Sequence, residues 1–343
     1  MRRAPFGWII GGLALLLAAE VIVAAGSGFL EIPFKEVIRI LLAQLSGTGS
    51  SISLPRELPP VVVMDVRLPR IITAALVGGG LAASGAVFQG ILRNPLADSY
   101  TLGVSAGAAF GAALALLADF TLLGVWSVPA LAFAGAVATL LAVIGLAGAG
   151  AEGDFSSSNL ILSGIIVAAI LSAGVSFIKY LADEQVGIII FWLMGSFASK
   201  GWGDAGLVAV AVGLGGALFC FFSRELNLLA LGSRTAGSLG VSPRKAALVL
   251  LVGASLVAAV CVAVSGIIGF MGLLVPHMVR FVTGPDNRRL IPASLLAGAC
   301  LLLCADTVTR AVLPREIPIG VITALIGGPF FCVIYRRRMQ PWK

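Results

Sequence analysis

Residues 71–91, IITAALVGGGLAASGAVFQGI, run for twenty-one positions without a charged side chain. About 20 such residues in a helix match the hydrocarbon thickness of a bilayer, so this stretch reads as a membrane crossing. The same reading extends in both directions. Apolar runs at approximately 6–26, 102–118, 128–150, 160–182, 204–222, 246–266, 268–283, 291–309 and 318–335 bring the number of crossings to ten. The run at 268–283 is short for a full crossing. Residues 187–198, GIIIFWLMGSFA, are apolar but too few to span; they suit a re-entrant or interfacial half-helix.

Composition agrees. The 343 residues are 59% hydrophobic and 11% charged, with a mean hydropathy of +1.06, whereas soluble domains average about 45–50% apolar and 25% charged. So few charges cannot cover a water-facing surface. A secreted disulfide scaffold, a nucleic-acid-binding domain and a disordered chain are excluded together. The expected fold class is all-α, a polytopic membrane protein, with residues 1–343 as one transmembrane domain.

The five cysteines, Cys220, Cys261, Cys300, Cys304 and Cys332, all lie in apolar runs and form no C-x-x-C pair, so they read as small packing residues. The amino terminus has the basic-then-apolar layout of a signal peptide. Its apolar stretch, Phe6 to Ala25, reaches spanning length, and a retained first helix is expected.

The net charge of +7 is resolved by topology. Ten crossings place both termini on one side, which then holds Arg2, Arg3, Arg93, Arg224, Arg234, Arg244, Lys245, Arg280, Arg288, Arg289, Arg336, Arg337, Arg338 and Lys343, fourteen of the 23 basic residues. Against Asp98, Glu152, Asp154, Glu225 and Asp286 that side carries +9, the other side carries −1, and Glu20 within the membrane supplies the last −1. Basic residues concentrate on the cytoplasmic side of membrane proteins, so both termini are expected there.

Glycines at 103, 107 and 111, and at 266, 269 and 272, recur at helical spacing, which lets helix backbones approach closely. Catalytic motifs are absent from the sequence: there is no G-x-x-x-x-G-K-[ST] loop, no H-E-x-x-H and no carboxylate cluster in a crossing. The single histidine, His277, cannot build a metal site alone and reads as structural. Glu20 has two readings, a proton-coupling acid or a side chain snorkelling to the interface.

Two features stand out. Loop 223–245, SRELNLLALGSRTAGSLGVSPRK, is too polar to span and too leucine-rich for a free linker. Gly232, Gly237 and Gly240 break it into short helical pieces, suited to docking in another protein's groove or to lying on the membrane. The second feature is arginine at the outer ends of crossings: Arg67 and Arg70 in RLPR, and Arg310 in ADTVTR. These arginines suit either a partner's carboxylates or lipid headgroups.

The stretches 67–112, FWLMGSF (191–197), the 226–245 loop, GFMGLLVPHMVRFVTGPDNRRLIPASLLAG (269–298) and ADTVTRAVLPREIPIGVITALIGGPFF (305–331) resemble, in order and over nearly the whole chain, the FecCD family. These are permease subunits of type II ABC importers for iron–siderophores, haem and cobalamin. The resemblance implies a homodimer in a bacterial or archaeal plasma membrane, with a path at the dimer axis lined chiefly by the crossing at 160–182. Two ATPases, which hold ATP and magnesium, would bind below, and a substrate-binding protein would dock above. This chain itself would hold no cofactor or metal and perform no catalysis. Within 226–243, Leu226, Leu228, Leu229, Gly232, Ala236, Leu239 and Gly240 match the coupling helices that sit in the ATPase clefts. Arg67, Arg70 and Arg310 match positions meeting glutamates of the binding protein. Asn94, Leu96, Ser157 and Ser158 match the cytoplasmic gate.

Two departures stand out. Ser233 and Arg234 follow Gly232 where many relatives carry an acidic pair, and Asn287 stands where relatives often have histidine. The implied mechanism is alternating access driven by ATP hydrolysis on the partners. The cargo reading is an iron chelate, with cobalamin as the alternative; a proton-coupled carrier using Glu20 is the alternative of another class.

Overall fold

The computed structural model describes residues 5–28, 30, 32–45, 58–148, 156–311 and 316–339. Arg2, Arg3, Glu152, Asp154 and Lys343, and the side chains of Arg336 to Arg338, which enter the charge partition above, lie outside the described residues. Every regular element among the described residues is helical. Helix α1 (Phe6–Gly26) is followed by α2 (Phe34–Leu45) and α3 (Leu58–Val61), which runs through a π-helical turn (Val62–Arg67) into α4 (Leu68–Leu92). Then come α5 (Val104–Leu117), α6 (Ser127–Gly148), α7 (Ser157–Leu181), α8 (Val186–Leu193) and α9 (Trp202–Phe221). The chain continues with α10 (Ser223–Ala230), α11 (Ser233–Ser238), α12 (Pro243–Ser265), α13 (Met271–Thr283), α14 (Asn287–Ala311) and α15 (Ile319–Met339).

Seven of these helical segments are long and apolar enough to cross a membrane, and three shorter apolar helices, 104–117, 271–283 and 319–332, fall where the other crossings are expected. The ten crossings therefore correspond to α1, α4, α5, α6, α7, α9, α12, α13, α14 and α15.

The lengths of α5 and α13 have a physical explanation. At 1.5 Å per residue they reach only about 21 and 20 Å, short of the roughly 30 Å core. Non-helical chain adjoins each of them. Residues 94–103 lead into α5, and residues 266–270 lead into α13. Asp98, Ser99, Leu102 and Ile268 are buried, so this non-helical backbone is enclosed by protein, the condition under which it is tolerated at membrane depth.

Helix α4 is the axis of the bundle, buried along nearly its whole length and flanked by α9, α12, α13 and α14. Small residues make this possible. A methyl group on Gly78 would lie 2.3 Å from the carbonyl oxygen of Gly298 in α14, and one on Gly85 would lie 2.1 Å from that of Gly272 in α13. The glycine series at 107 and 111 does the same against α6, where added methyls would meet the Gly135 and Leu131 carbonyls at 2.5 and 2.1 Å. Backbone contact replaces the hydrophobic effect, which is weak between helices in lipid. Gly85→Ala is therefore expected to destabilise the bundle by about 1–3 kcal/mol through overpacking, read as a lowered unfolding midpoint in detergent.

Three points differ from the sequence expectation. The helix that carries the second crossing begins before residue 71, at Leu58, and passes through the π turn. Helix α2 was not anticipated, because Lys35, Glu36 and Arg39 interrupt the apolar run. The half-helix expected at 187–198 is helical only to Leu193. Beyond it the chain turns at Gly195 (φ +74°) and is bonded to its neighbours: Ser196 N donates to Ser265 O (2.8 Å), Ile319 N to Gly195 O (3.1 Å) and Gly320 N to Met194 O (3.0 Å). This segment joins the end of α12 to the start of α15.

Candidate functional site

Two ends of the bundle carry the residues singled out from sequence. At one end α10 and α11 lie across the terminus of α4. Leu226 is fully buried, its side chain against Gly90 of α4, and Leu229 and Ala236 are also buried. Asn227 fixes the helix laterally: its Nδ2 donates to Asp286 Oδ1 (2.7 Å), while its Oδ1 accepts from Asn287 N (2.9 Å) and Asn287 Nδ2 (2.8 Å). Partial burial works to raise the Asp286 carboxyl, but the Asn227 amide, the Arg288 backbone N–H and the Arg288 and Arg289 charges together hold it below the usual carboxylate range. Asn287, noted from sequence as a departure, thus belongs to this polar knot. Asn227→Ala leaves the backbone N–H and the side-chain amide of buried Asn287 without this acceptor, at about 1–3 kcal/mol, and is expected to speed proteolysis and amide exchange in 223–240 ahead of the rest of the bundle.

Gly232 (φ +107°) and Gly240 (φ +84°) bracket α11 in backbone conformations that favour glycine. The apolar side chains facing outward are Leu231 and Leu239, 65% and 58% exposed. The coupling set therefore divides: Leu226, Leu229 and Ala236 seat the two helices, Leu228 is half-buried against the core, the glycines shape the turns, and Leu239 points away from the chain. Leu231 joins Leu239 on the outward face.

Beside these helices is a cavity of about 400 Å³ lined by Arg93, Ser156, Ser157, Ser158, Leu229 and Arg244, among others. Ser156 caps α7, its hydroxyl accepting from Asn159 N (3.1 Å). Asn94 forms a tight turn in which its Oδ1 accepts from Leu96 N (2.9 Å). Leu96 faces a different, mostly apolar cavity of about 730 Å³ with Tyr100, Leu193, Phe270 and Leu325. Within one chain, then, Ser157 and Ser158 join the α10–α11 seat and Leu96 does not.

At the opposite end the three arginines expected at outer helix ends differ in how far they are buried. Arg67 is 6% exposed; its Nη1 donates to Ala25 O (2.6 Å) and its Nη2 to Leu30 O. Arg310, 7% exposed, donates from Nη1 to Ser27 O (3.0 Å) and from Nη2 to Ala24 O. The last carbonyls of a helix lack intrahelical partners and carry the negative end of its dipole. Two guanidiniums satisfy them at the end of α1, and the π turn aims one of the two by placing Arg67 there. The turn is held from outside as well, since Trp202 Nε1 donates to Met64 O (3.1 Å).

Arg70 lies nearer the surface. It bonds Asp306 through Nε and Nη2 (2.9–3.2 Å) and Glu316 through Nη1 (3.0 Å). Asp306 is 1% exposed and also approaches Arg310 Nε (3.6 Å), whereas Glu316 is 51% exposed. These acids were not anticipated; the spacing of Asp306 four residues before Arg310 was the available signal. Glu20 sits on α1 beside Cys300 of α14, and His277 is buried edge-on to Phe281 at 5.0 Å. No group of three metal-ligating side chains occurs among the described residues.

A bundle of ten apolar helices with two short amphipathic helices seated at one end is the architecture of a membrane transport permease. The chain belongs to the FecCD transport family, matched over residues 15–337. It is 43% identical over 283 residues to the cobalamin import system permease protein BtuC of Halobacterium salinarum, covering 82% of this chain and 75% of that protein. It is 37% identical over 339 residues to the hemin transport system permease protein HmuU of Yersinia pestis, covering 97% and 96%. Among solved structures, it resembles an inward-facing conformation of a metal-chelate type ABC transporter, with a TM-score of 0.81 at 36% identity, covering 96% of this chain and 99% of the other.

Proposed function

We propose that this chain is the translocating subunit of an ABC importer that carries an iron chelate, a siderophore complex or haem, into the cell by alternating access. The observation that carries the reading is the pair of helices α10 and α11, seated from within by Leu226, Leu229 and Asn227 and presenting Leu231 and Leu239 outward. An apolar pair on a fixed, bracketed turn suits insertion into the cleft of an ATPase. Closure of two such clefts on ATP would then move the end of α4, against which α10 packs, and the start of α14, to which it is bonded. The chain performs no bond-breaking step in this scheme; ATP and magnesium belong to the two ATPases.

The functional unit is a homodimer in the plasma membrane, with both termini and the α10–α11 end cytoplasmic, as the fourteen-to-nine distribution of basic residues favours. Ser157, Ser158, Asn94 and Leu96 form the cytoplasmic gate when two subunits meet. A soluble or lipid-anchored binding protein docks at the arginine end. There Arg70, with its exposed partner Glu316, is the contact, while Arg67 and Arg310 hold the rim in shape.

The iron-chelate reading is favoured by similarity to a hemin permease and to a metal-chelate transporter; cobalamin is the alternative, from the similarity to BtuC. In proteoliposomes containing the permease, its ATPase and its binding protein, a ferric siderophore or haem is expected to accumulate on ATP addition. Accumulation of cobalamin alone would overturn the cargo assignment.

A further inference from the structure

Helix α2, FKEVIRILLAQL, stands apart from the ten crossings. Its Val37 is fully buried in a small cluster with Ala24 and Ala25 of α1, Val63, Ile71 of α4 and Leu303 of α14, and Ile40 and Leu41 pack against the same cluster. Those contacts place α2 at the last turn of α1 and the first turn of α4, the level at which the apolar run of 71–91 begins. A helix held there lies where hydrocarbon gives way to headgroups.

The apolar arc of α2 is wider than the strip the bundle covers. Phe34, Ile38 and Leu42, spaced by four, are 54%, 41% and 60% exposed. Around the helix they lie between the buried Val37 and half-buried Leu41 on one flank and the exposed Lys35 and Arg39 on the other. Three faces in that order, protein, apolar and cationic, match three surroundings in that order: bundle, acyl chains and headgroups. The apolar face is also continuous with a lipid-facing one, because the adjoining α1 exposes Leu15, Leu16 and Val23 along its length.

We propose that α2 is an in-plane anchor in the leaflet at the arginine end. Phe34, Ile38 and Leu42 sit in the upper acyl region, and Lys35 and Arg39 bind the phosphate of anionic phospholipid headgroups. Interfacial helices gain their affinity from these two contributions, buried apolar area and cation–phosphate attraction, and long basic side chains keep their charge at headgroup level while their stems cover apolar surface. The anchor fixes the α1–α2 elbow from the lipid side, as Arg67 and Arg310 fix it from the protein side.

The test uses the full-length permease in vesicles of phosphatidylcholine with one-quarter phosphatidylglycerol, its native cysteines replaced by alanine. A nitroxide is attached in turn at Phe34→Cys, Ile38→Cys, Leu42→Cys, Lys35→Cys and Arg39→Cys. Labels at 34, 38 and 42 are expected to collide more with oxygen than with an aqueous nickel chelate, and labels at 35 and 39 the reverse. Equal nickel access at all five positions would overturn the proposal. So would protection from both reagents at 34, 38 and 42 once the binding protein is added, since that makes the face a protein contact. In mixed micelles, Lys35→Gln and Arg39→Gln should each lower the ratio of bound phosphatidylglycerol to phosphatidylcholine about fivefold. An unchanged ratio would remove headgroup binding from the assignment.

Discussion

Leu239→Asp is expected to abolish ATP-driven uptake while leaving the permease folded. Leu239 is 58% exposed, so its replacement removes little internal packing and the unfolding midpoint should hold. In the proposed importer the same side chain would enter an apolar cleft, where an uncompensated carboxylate would cost about 3–5 kcal/mol, more than a hundredfold in association. Leu231→Asp should behave alike. Leu226→Asp provides the contrast: Leu226 is fully buried against Gly90, and a charge there should unfold the seat itself. Co-purification of the ATPase with each variant, beside thermal unfolding of the permease alone, separates the two outcomes. Normal ATPase binding by Leu239→Asp would exclude this surface as the coupling contact.

Arg310→Ala should destabilise the protein by about 1–3 kcal/mol, the cost of leaving main-chain acceptors without their donor. Asp306, 1% exposed, would keep only Arg70, and the carbonyls of Ala24 and Ser27 would lose their donor. Arg67→Ala removes the bonds to Ala25 and Leu30 and should act in the same direction. Lysine in place of Arg310 should recover only part of the loss, because an ammonium lacks the planar fork that reaches two carbonyls at once. The measurement is thermal unfolding in detergent with proteolysis of the α1–α2 connection as a local readout. If these arginines served only to meet a partner, both variants would melt like the parent and lose binding-protein affinity alone.

The long crossings were legible because bilayer thickness imposes a length that few other structures need, and 71–91 meets it without a charge. The short crossings were marginal for a reason now visible. Residues 94–103 and 266–270 adjoin the short helices as turns and irregular chain, and no apolar period marks such backbone, since its burial depends on neighbours distant in sequence, as Asp98 depends on Gly272. The short helices of 223–240 were legible as a break in the apolar pattern, but their faces were not: separating buried Leu226 and Leu229 from exposed Leu231 requires knowing where α4 ends. The arginines illustrate the opposite limit. Their position near helix ends was correct, yet the acceptors that turned Arg67 and Arg310 inward are main-chain carbonyls of α1, about which side-chain patterns say nothing. Helix α2 escaped because its charges lie on one flank of an otherwise apolar arc, a pattern a window of spanning length averages away.

In the proposed function this chain converts ATP hydrolysis by its partners into inward movement of a chelate. The direct measurement is uptake into proteoliposomes with and without the ATPase, the binding protein and ATP, and separately under an imposed pH gradient. Uptake is expected only with all three present and is expected to survive Glu20→Gln, with the Glu20 carboxyl beside Cys300 playing no part in coupling. Uptake by the permease alone under a pH gradient, lost on Glu20→Gln, would contradict the account and make the chain a proton-coupled carrier.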